Sequence, residues 1–166
     1  FNKLRFSTSK TMRTAQSLYE GVELGKEGNI GLITYMRTDS VKVSKDAREQ
    51  AKSYILEKYG TRYYPEKPNE YKSKKGAQEA HEAIRPTLPL REPETVKEYL
   101  SSDQYKLYEL IWKRFISSQM TEATYSVRSV SIRAGKYLFK SSDTKVVFDG
   151  FMALYDIQEI EKEKSG

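Results

Sequence analysis

The sequence predicts an α+β fold: a mostly helical N-terminal region, then antiparallel β strands that form part of a second domain. Up to about residue 120, apolar residues recur at intervals of three and four, which is typical of helices with one buried face. From Tyr125 onward, apolar and polar residues alternate, which is typical of strands. We therefore expect a helical domain over residues 1–120, an antiparallel β segment over 121–157 and a frayed tail over 158–166.

The first helix is expected to start at an N-cap among Ser7, Thr8 and Ser9 and to end near Gly21. Its predicted buried stripe, from helical spacing, is Met12, Ala15, Leu18 and Tyr19. Four glycines between Gly21 and Gly31 predict a loop. A short β-prone run over 30–35 follows, and the chain is expected to turn over 37–40.

The second helix is predicted over Lys45–Tyr59, with Ser44 as its N-cap and Gly60 just beyond its end. Its expected buried side is Ala47, Ala51, Tyr54, Ile55 and Tyr59. Residues 61–76 are polar and contain two prolines, which predicts an exposed loop. A short helix over 78–84 is expected to stop before Pro86.

Another short helix is predicted over 94–100, and Ser101 with Gln104 forms a candidate capping box for a longer helix that runs to Met120. The apolar face of this longer helix comprises Leu107, Tyr108, Leu110, Ile111, Trp112 and Phe115.

The β segment is predicted to begin around Tyr125, with a phase slip at 128–129 that indicates a bulge. The run 134–136 is typical of a hairpin turn, and further strands are expected over 137–139, 145–148 and 151–155.

Composition narrows the function classes. The net charge is +6, which makes a polyanionic partner such as nucleic acid more probable without requiring one. There are no cysteines, so disulfides, thiol chemistry and cysteine-bound zinc are excluded. No apolar run is long enough to span a bilayer, and the first six residues lack the apolar core of a signal peptide. We expect a cytoplasmic location. The chain does not begin with methionine, and we expect it to be part of a longer protein.

Two segments carry candidate chemistry. In the first, Tyr35 lies two residues from Arg37, so the two would share a face of a strand. A phenol has a pKa of about 10, and a neighbouring cation favours the nucleophilic phenolate and binds phosphate oxygens. The second segment contains His81 and Arg85, which can both donate to phosphate. Such pairs are common, however, and spacing alone supports only a basic α+β domain that could bind nucleic acid.

A resemblance distinguishes these alternatives. The run Gly31–Ser40, GLITYMRTDS, resembles the active-site signature of type IA DNA topoisomerases. The run Glu79–Thr87, EAHEAIRPT, resembles the second signature of that family, in the expected order. The helix before Tyr35 and the helix over 107–120 are also similar, and the likeness extends to about Tyr155. Met36 and the Glu82/Arg85 pattern resemble the bacterial topoisomerase I branch, since topoisomerase III more often has proline after the tyrosine.

The resemblance implies that Tyr35 is a nucleophile that cuts one DNA strand and leaves a 5′-phosphotyrosine. It implies catalytic roles for Arg37 and His81, DNA contacts for Thr38 and Ser40, and either a DNA contact or support of the site for Arg85. The other strand would pass and the break reseal, which relaxes negative supercoils in the nucleoid.

The family's toprim domain, with the acidic residues that hold magnesium, has no match in this sequence. The resemblance therefore implies a helical tyrosine domain with part of the β-rich arch, which would dock on toprim in the intact protein. We expect no metal bound by this piece and no activity from it alone. The alternative reading is a module that binds single-stranded DNA or acts as a gate without cutting.

Overall fold

The computed structural model describes residues 3–71 and 81–155. The elements in chain order are α1 (Thr8–Glu20), β1 (Val22–Glu23), β2 (Asn29–Ile30), α2 (Lys45–Lys58), α3 (Pro93–Val96), α4 (Ser102–Ser118), β3 (Thr124–Ala134) and β4 (Tyr137–Phe148). Short 3-10 helices lie at Gly25–Glu27, Thr61–Tyr63, Lys97–Tyr99 and Gly150–Leu154. Helices therefore precede an antiparallel hairpin, which confirms the predicted α+β class. Within the described ranges, no helix combines the length and apolar character that crossing a bilayer requires.

Helix α1 begins where the sequence predicts, because the Ser7 side chain accepts a hydrogen bond from the Lys10 backbone N–H. The predicted stripe is correct only at its centre: Ala15 and Leu18 are buried, whereas Met12 is 49% exposed and Tyr19 is 40% exposed. Helix α1 packs on α4, and Met12 and Tyr19 lie outside the face that is buried there.

The segment after α1 is not a plain loop. Strands β1 and β2 pair antiparallel, with Val22 opposite Ile30 and Glu23 opposite Asn29, around a 3-10 turn. Beyond β2, the Leu32 N–H donates to the Leu18 carbonyl at 2.7 Å, so the chain returns along the end of α1. This return path leads directly into the segment that carries Tyr35.

Helix α2 confirms its predicted cap and most of its predicted face. The Ser44 side chain accepts from the Ala47 N–H, and Gly60 follows the helix with φ of 91°. Four of the five expected residues are buried (Ala47, Ala51, Tyr54 and Ile55), while Tyr59 is partly exposed but packs on the same cluster. The following segment, residues 61–71, is less exposed than predicted, because Tyr63 and Tyr64 pack against the core.

Helix α4 closes the helical core. Both halves of the predicted capping box between Ser101 and Gln104 are present, and α3 with the Lys97–Tyr99 turn occupies the predicted 94–100 helix. Leu107, Tyr108, Trp112, Phe115 and Ile116 are buried. Ile111 and Leu110 are only partly buried. The Tyr108 hydroxyl donates to the Arg91 carbonyl and the Trp112 indole donates to the Pro89 carbonyl, so both polar tips are satisfied.

The β segment is one long hairpin rather than several strands. Strand β3 pairs with β4 from Ala134 opposite Tyr137 back to Thr124 opposite Phe148, and the only register shift recorded for this pair lies at Thr124/Tyr125. The bulge expected at 128–129 is therefore wrong, because the pairing continues regularly there. The predicted strand over 151–155 is also wrong: Gly150–Leu154 forms a 3-10 helix that buries Met152 and Leu154.

Candidate active site

The Tyr35 segment is held against the His81 segment by backbone pairing. Ile33 forms an antiparallel bridge with Pro86. The Thr34 N–H donates to the Arg85 carbonyl at 2.9 Å, and the Thr87 N–H donates to the Leu32 carbonyl at 3.0 Å. The two signature segments thus meet, although they lie about fifty residues apart in the chain.

This pairing also explains why the short helix predicted over 78–84 is absent where the structure describes it. Residues 81–84 are not helical, and the Ala83 N–H donates to a carbonyl of another segment, that of Lys42, at 2.8 Å. An extended chain is needed here because residues 83–85 bond to Thr34 and because Pro86 disfavours helix in the residue before it. Residues 78–80 lie outside the described residues.

Thr34 fixes the contact with its side chain. Its hydroxyl donates to the Ala83 carbonyl at 2.8 Å and accepts from the Arg85 N–H at 3.0 Å. The Thr34 hydroxyl therefore bonds to two residues that closely follow His81, and Thr34 itself directly precedes Tyr35. The Thr34 side chain therefore links the segment that carries Tyr35 to the backbone of the segment that carries His81.

Tyr35 lies at the surface where the chain leaves this pairing. Its side chain is 53% exposed. The Arg37 N–H donates to the Tyr35 carbonyl at 2.9 Å, so residues 35–37 form a tight turn. The expectation that Tyr35 and Arg37 share the face of a strand is wrong in its geometry, yet the turn still brings both side chains to one open cleft of about 290 Å³. The cleft is lined by Tyr19, Thr34, Tyr35, Arg37, His81 and Glu82.

Arg37, His81 and Asp39 form a polar chain at this cleft. Arg37 Nη1 lies 3.3 Å from His81 Nε2, and Arg37 Nε lies 3.3 Å from Asp39 Oδ2. A guanidinium can only donate, so a neutral His81 accepts through Nε2 and carries its proton on Nδ1. That Nδ1 faces Asp39 Oδ2 at 3.6 Å, just beyond hydrogen-bond length, and has no hydrogen-bond partner among the described residues.

Asp39 is a residue whose part the sequence reasoning missed. It lies within reach of both cationic candidates, and its second oxygen, Oδ1, is buried with no hydrogen-bond partner among the described residues. A signal was available, since Asp39 stands two residues after Arg37 in the first signature. Its proximity to His81 could not be read from the sequence, because that contact joins two distant segments.

The three residues expected to contact DNA differ in accessibility. Thr38 is exposed, but Ser40 is 7% exposed and its hydroxyl accepts from the Lys42 N–H. Arg85 is 8% exposed, and its guanidinium bonds to the Glu82 carboxylate, the Pro86 carbonyl and the Ser44 hydroxyl. The Arg85 side chain therefore stabilises the segment that carries His81 and does not line the cleft.

No group of three or more histidine, cysteine, aspartate or glutamate side chains is placed to hold a metal ion in the described part of the chain. The cleft instead combines an exposed phenol, a guanidinium and an imidazole. These are the groups that a phosphoryl transfer to tyrosine needs from the protein side: a nucleophile and donors for the phosphate oxygens.

Comparison with known proteins shows the family to which this chain belongs. Residues 1–165 match the family model described as DNA topoisomerase, and the chain belongs to that family. Two DNA topoisomerase 1 proteins of Xylella fastidiosa, from strains Temecula1 and 9a5c, are each 53% identical to it over 156 residues. These alignments cover 93% of this chain and 19% of each relative.

Among solved structures, full-length topoisomerase I from Thermotoga maritima is 48% identical and superposes with a TM-score of 0.79, covering 92% of this chain and 24% of that chain. The chain therefore corresponds to a region of bacterial DNA topoisomerase I and spans about a fifth of the length of its curated relatives. The family resemblance inferred from the two signatures is confirmed.

Proposed function

We propose that this chain supplies the nucleophile of a type IA DNA topoisomerase, with Tyr35 as the attacking residue. The Tyr35 phenol oxygen bonds to a phosphorus of one DNA strand as the bond from that phosphorus to the 3′ oxygen breaks. The phenolic proton leaves, and the 3′ oxygen gains a proton. The product is a 5′-phosphotyrosine, which the 3′ hydroxyl attacks in the reverse step after the other strand has passed. The net result is relaxation of negative supercoils.

The observation that carries this proposal is the meeting of Tyr35, Arg37 and His81 at one cleft. In the proposed mechanism, Arg37 binds the non-bridging oxygens of the scissile phosphate and stabilises the charge that develops on them. His81, in contact with Arg37 at 3.3 Å, donates to the same phosphate when its ring is protonated on both nitrogens. Thr38, which is exposed next to Arg37, contacts the DNA backbone. Ser40 and Arg85 are buried, and we assign them the role of holding these groups in place.

The intact enzyme is proposed to use magnesium held by its toprim domain, which the chain contacts in the closed enzyme. Among the described residues, no group of three or more histidine, cysteine, aspartate or glutamate side chains could hold such an ion. A cytoplasmic, nucleoid-associated location follows from the DNA substrate. We further propose that the helical domain ends at about residue 120 and that the hairpin of β3 and β4 belongs to the arch domain.

The test is to replace Tyr35 with Phe in the intact enzyme. Strand cleavage should be lost while DNA binding is retained. Tyr71→Phe is the matched control, because Tyr71 is 51% exposed but its hydroxyl donates to the Ser118 carbonyl, away from the cleft. Trapping the covalent adduct and mapping the DNA-linked peptide by mass spectrometry identifies the nucleophile directly. A linked peptide that lacks Tyr35 would refute the assignment.

The second candidate is a binding module, which the net charge of +6 favours. The purified chain should bind single-stranded DNA weakly, with a log–log salt slope of roughly −0.7 per phosphate contacted. It should not relax supercoiled DNA, with or without magnesium, because Tyr35, Arg37 and His81 alone lack the metal and the acidic groups. Relaxation by the purified chain above the level of contaminants would contradict that expectation.

A further inference from the structure

Tyr19 is the second tyrosine of the cleft. It occupies the last turn of α1, and its ring centroid lies 5.3 Å from that of Tyr35, with the ring planes at 64°. This is an edge-to-face contact, the arrangement that aromatic quadrupoles favour. Both tyrosines line the same cleft, and neither is a core residue, since Tyr19 is 40% exposed and Tyr35 is 53% exposed.

Backbone contacts hold together the two segments that carry these rings. The Leu32 N–H donates to the Leu18 carbonyl at 2.7 Å, which joins the end of α1 to the segment that leads to Tyr35. A Cβ at Gly31 would lie 2.7 Å from the Tyr19 carbonyl oxygen, so this close approach requires glycine. The end of α1 and the segment that leads to Tyr35 are therefore held together by their backbones, which keeps the two rings close to each other.

The position of Tyr19 is not explained by burial. Ala15 and Leu18 fill the interface between α1 and the core, and Leu18 is fully buried. Tyr19 points to the side of that interface, where its neighbour is the exposed ring of Tyr35. An exposed nucleophile has rotational freedom that must be lost before it can attack, and a fixed aromatic neighbour removes part of that freedom in advance.

We propose that Tyr19 is a positioning residue for Tyr35: its ring packs edge-to-face on the Tyr35 ring and limits the orientations from which the phenol attacks. This inference rests on the proposed role of Tyr35. Tyr19 acts through its ring and not through its hydroxyl. Because aromatic pairs of this kind add modestly to simple burial, removing the ring should slow the cleavage step by about two- to tenfold.

The experiment uses the intact enzyme with three variants. Tyr19→Leu removes the ring and keeps an apolar side chain that favours helix, Tyr19→Phe keeps the ring and removes the hydroxyl, and Tyr99→Leu is the control. Tyr99 is 41% exposed and does not line the cleft, so its replacement should leave cleavage unchanged. The rate of strand cleavage is measured in a single turnover with saturating single-stranded oligonucleotide, and DNA affinity and Tm are measured in parallel.

We expect Tyr19→Leu to cleave about two- to tenfold more slowly with unchanged DNA affinity and unchanged Tm, and Tyr19→Phe to match the unaltered enzyme. Three results would overturn the proposal. Cleavage by Tyr19→Leu at the full rate would show that the ring does not position the nucleophile. A slow Tyr19→Phe variant would show that the hydroxyl acts directly. A loss of rate accompanied by an equal loss of affinity would make Tyr19 a DNA contact.

A second readout does not depend on activity. With 3-fluorotyrosine at position 35, the ¹⁹F resonance should shift in Tyr19→Leu and remain in place in Tyr99→Leu, because the neighbouring ring is lost only in the first. An unchanged resonance in Tyr19→Leu would refute the contact itself. If Tyr35→Phe proves active, the proposed function fails, and the ¹⁹F shift still reports separately whether Tyr19 orders that side chain.

Discussion

Replacing Thr34 with Val tests whether one hydroxyl holds the two halves of the site together. Valine preserves the size and β-branching of threonine, and the backbone bond from the Thr34 N–H to the Arg85 carbonyl at 2.9 Å remains available. What is lost is the side-chain bond to the Ala83 carbonyl at 2.8 Å and the bond from the Arg85 N–H at 3.0 Å. The change therefore isolates the side-chain link.

The expected cost follows from those two bonds. Each intramolecular hydrogen bond contributes about 1 kcal/mol net, and a partly buried donor left without an acceptor adds to the loss. We expect Thr34→Val to lower the free energy of unfolding by about 2 kcal/mol. Thr87→Val is the matched control, because the exposed Thr87 hydroxyl makes one bond, to the Gly31 carbonyl at 2.7 Å. Water can replace that bond, so this variant should lose about 0.5 kcal/mol or less.

Urea denaturation followed by tryptophan fluorescence measures both variants, since Trp112 is the single tryptophan and is 4% exposed. In the intact enzyme, Thr34→Val should also slow strand cleavage, because only the backbone bonds then hold the His81 segment beside Tyr35, and Thr34→Ser should restore the rate by restoring the hydroxyl. Equal losses of stability in Thr34→Val and Thr87→Val, or a fully active Thr34→Val, would refute the reasoning.

Three further outcomes are expected. Arg37→Lys keeps the charge but loses the planar fork, so the intact enzyme should still bind DNA yet cleave on the order of tenfold more slowly in an oligonucleotide assay; an undiminished rate would contradict the role of the fork. Gly150→Ala should destabilise the chain more than Gly135→Ala in thermal melts: φ is positive at both glycines, at 50° and 58°, but only at Gly150 would a Cβ lie 2.5 Å from the Thr121 carbonyl oxygen. Equal melts would show that the clash relaxes. Burial raises the pKa of the Tyr108 phenol above its ordinary value of 10.0, so its contribution to stability is fully present below pH 10 and declines as the pH rises above it, which a pH series of melts with Tyr108→Phe as control would detect.

Local signals in the sequence were sufficient for α1, α2, α4 and the hairpin turn. Ser44 and Ser101 cap the helices that they were expected to cap, because a capping side chain bonds to a backbone N–H only a few residues away. The turn at 134–136 likewise depends on neighbouring residues, and Gly135 has the positive φ that such a turn needs. Features of this kind are encoded within a few residues and are therefore readable without the fold.

Features that depend on distant partners were not readable. Helical spacing placed Tyr19 on the buried stripe of α1, but its neighbour is Tyr35 and not the core. Residues 81–84 were given a helix because nothing in their own sequence reveals the bonds that Thr34 makes to residues 83 and 85. Residues 151–155 have the composition of a strand, but Phe148 already ends β4, and no described strand pairs with them.

The charge at the site also depends on contacts that the sequence does not reveal. The chain carries a net charge of +6, yet Arg37 at the cleft pairs with Asp39, and Arg85, which does not line the cleft, pairs with Glu82, so these formal charges cancel. The Arg85 pair is largely buried and offers little to a ligand. Arg37, with its side chain 49% exposed, is the group that a phosphate can reach, and the phosphate must compete with Asp39 for it. We therefore expect overall basicity to attract a DNA strand to the surface, and we propose that the geometry of the Arg37 guanidinium selects the phosphate that meets Tyr35.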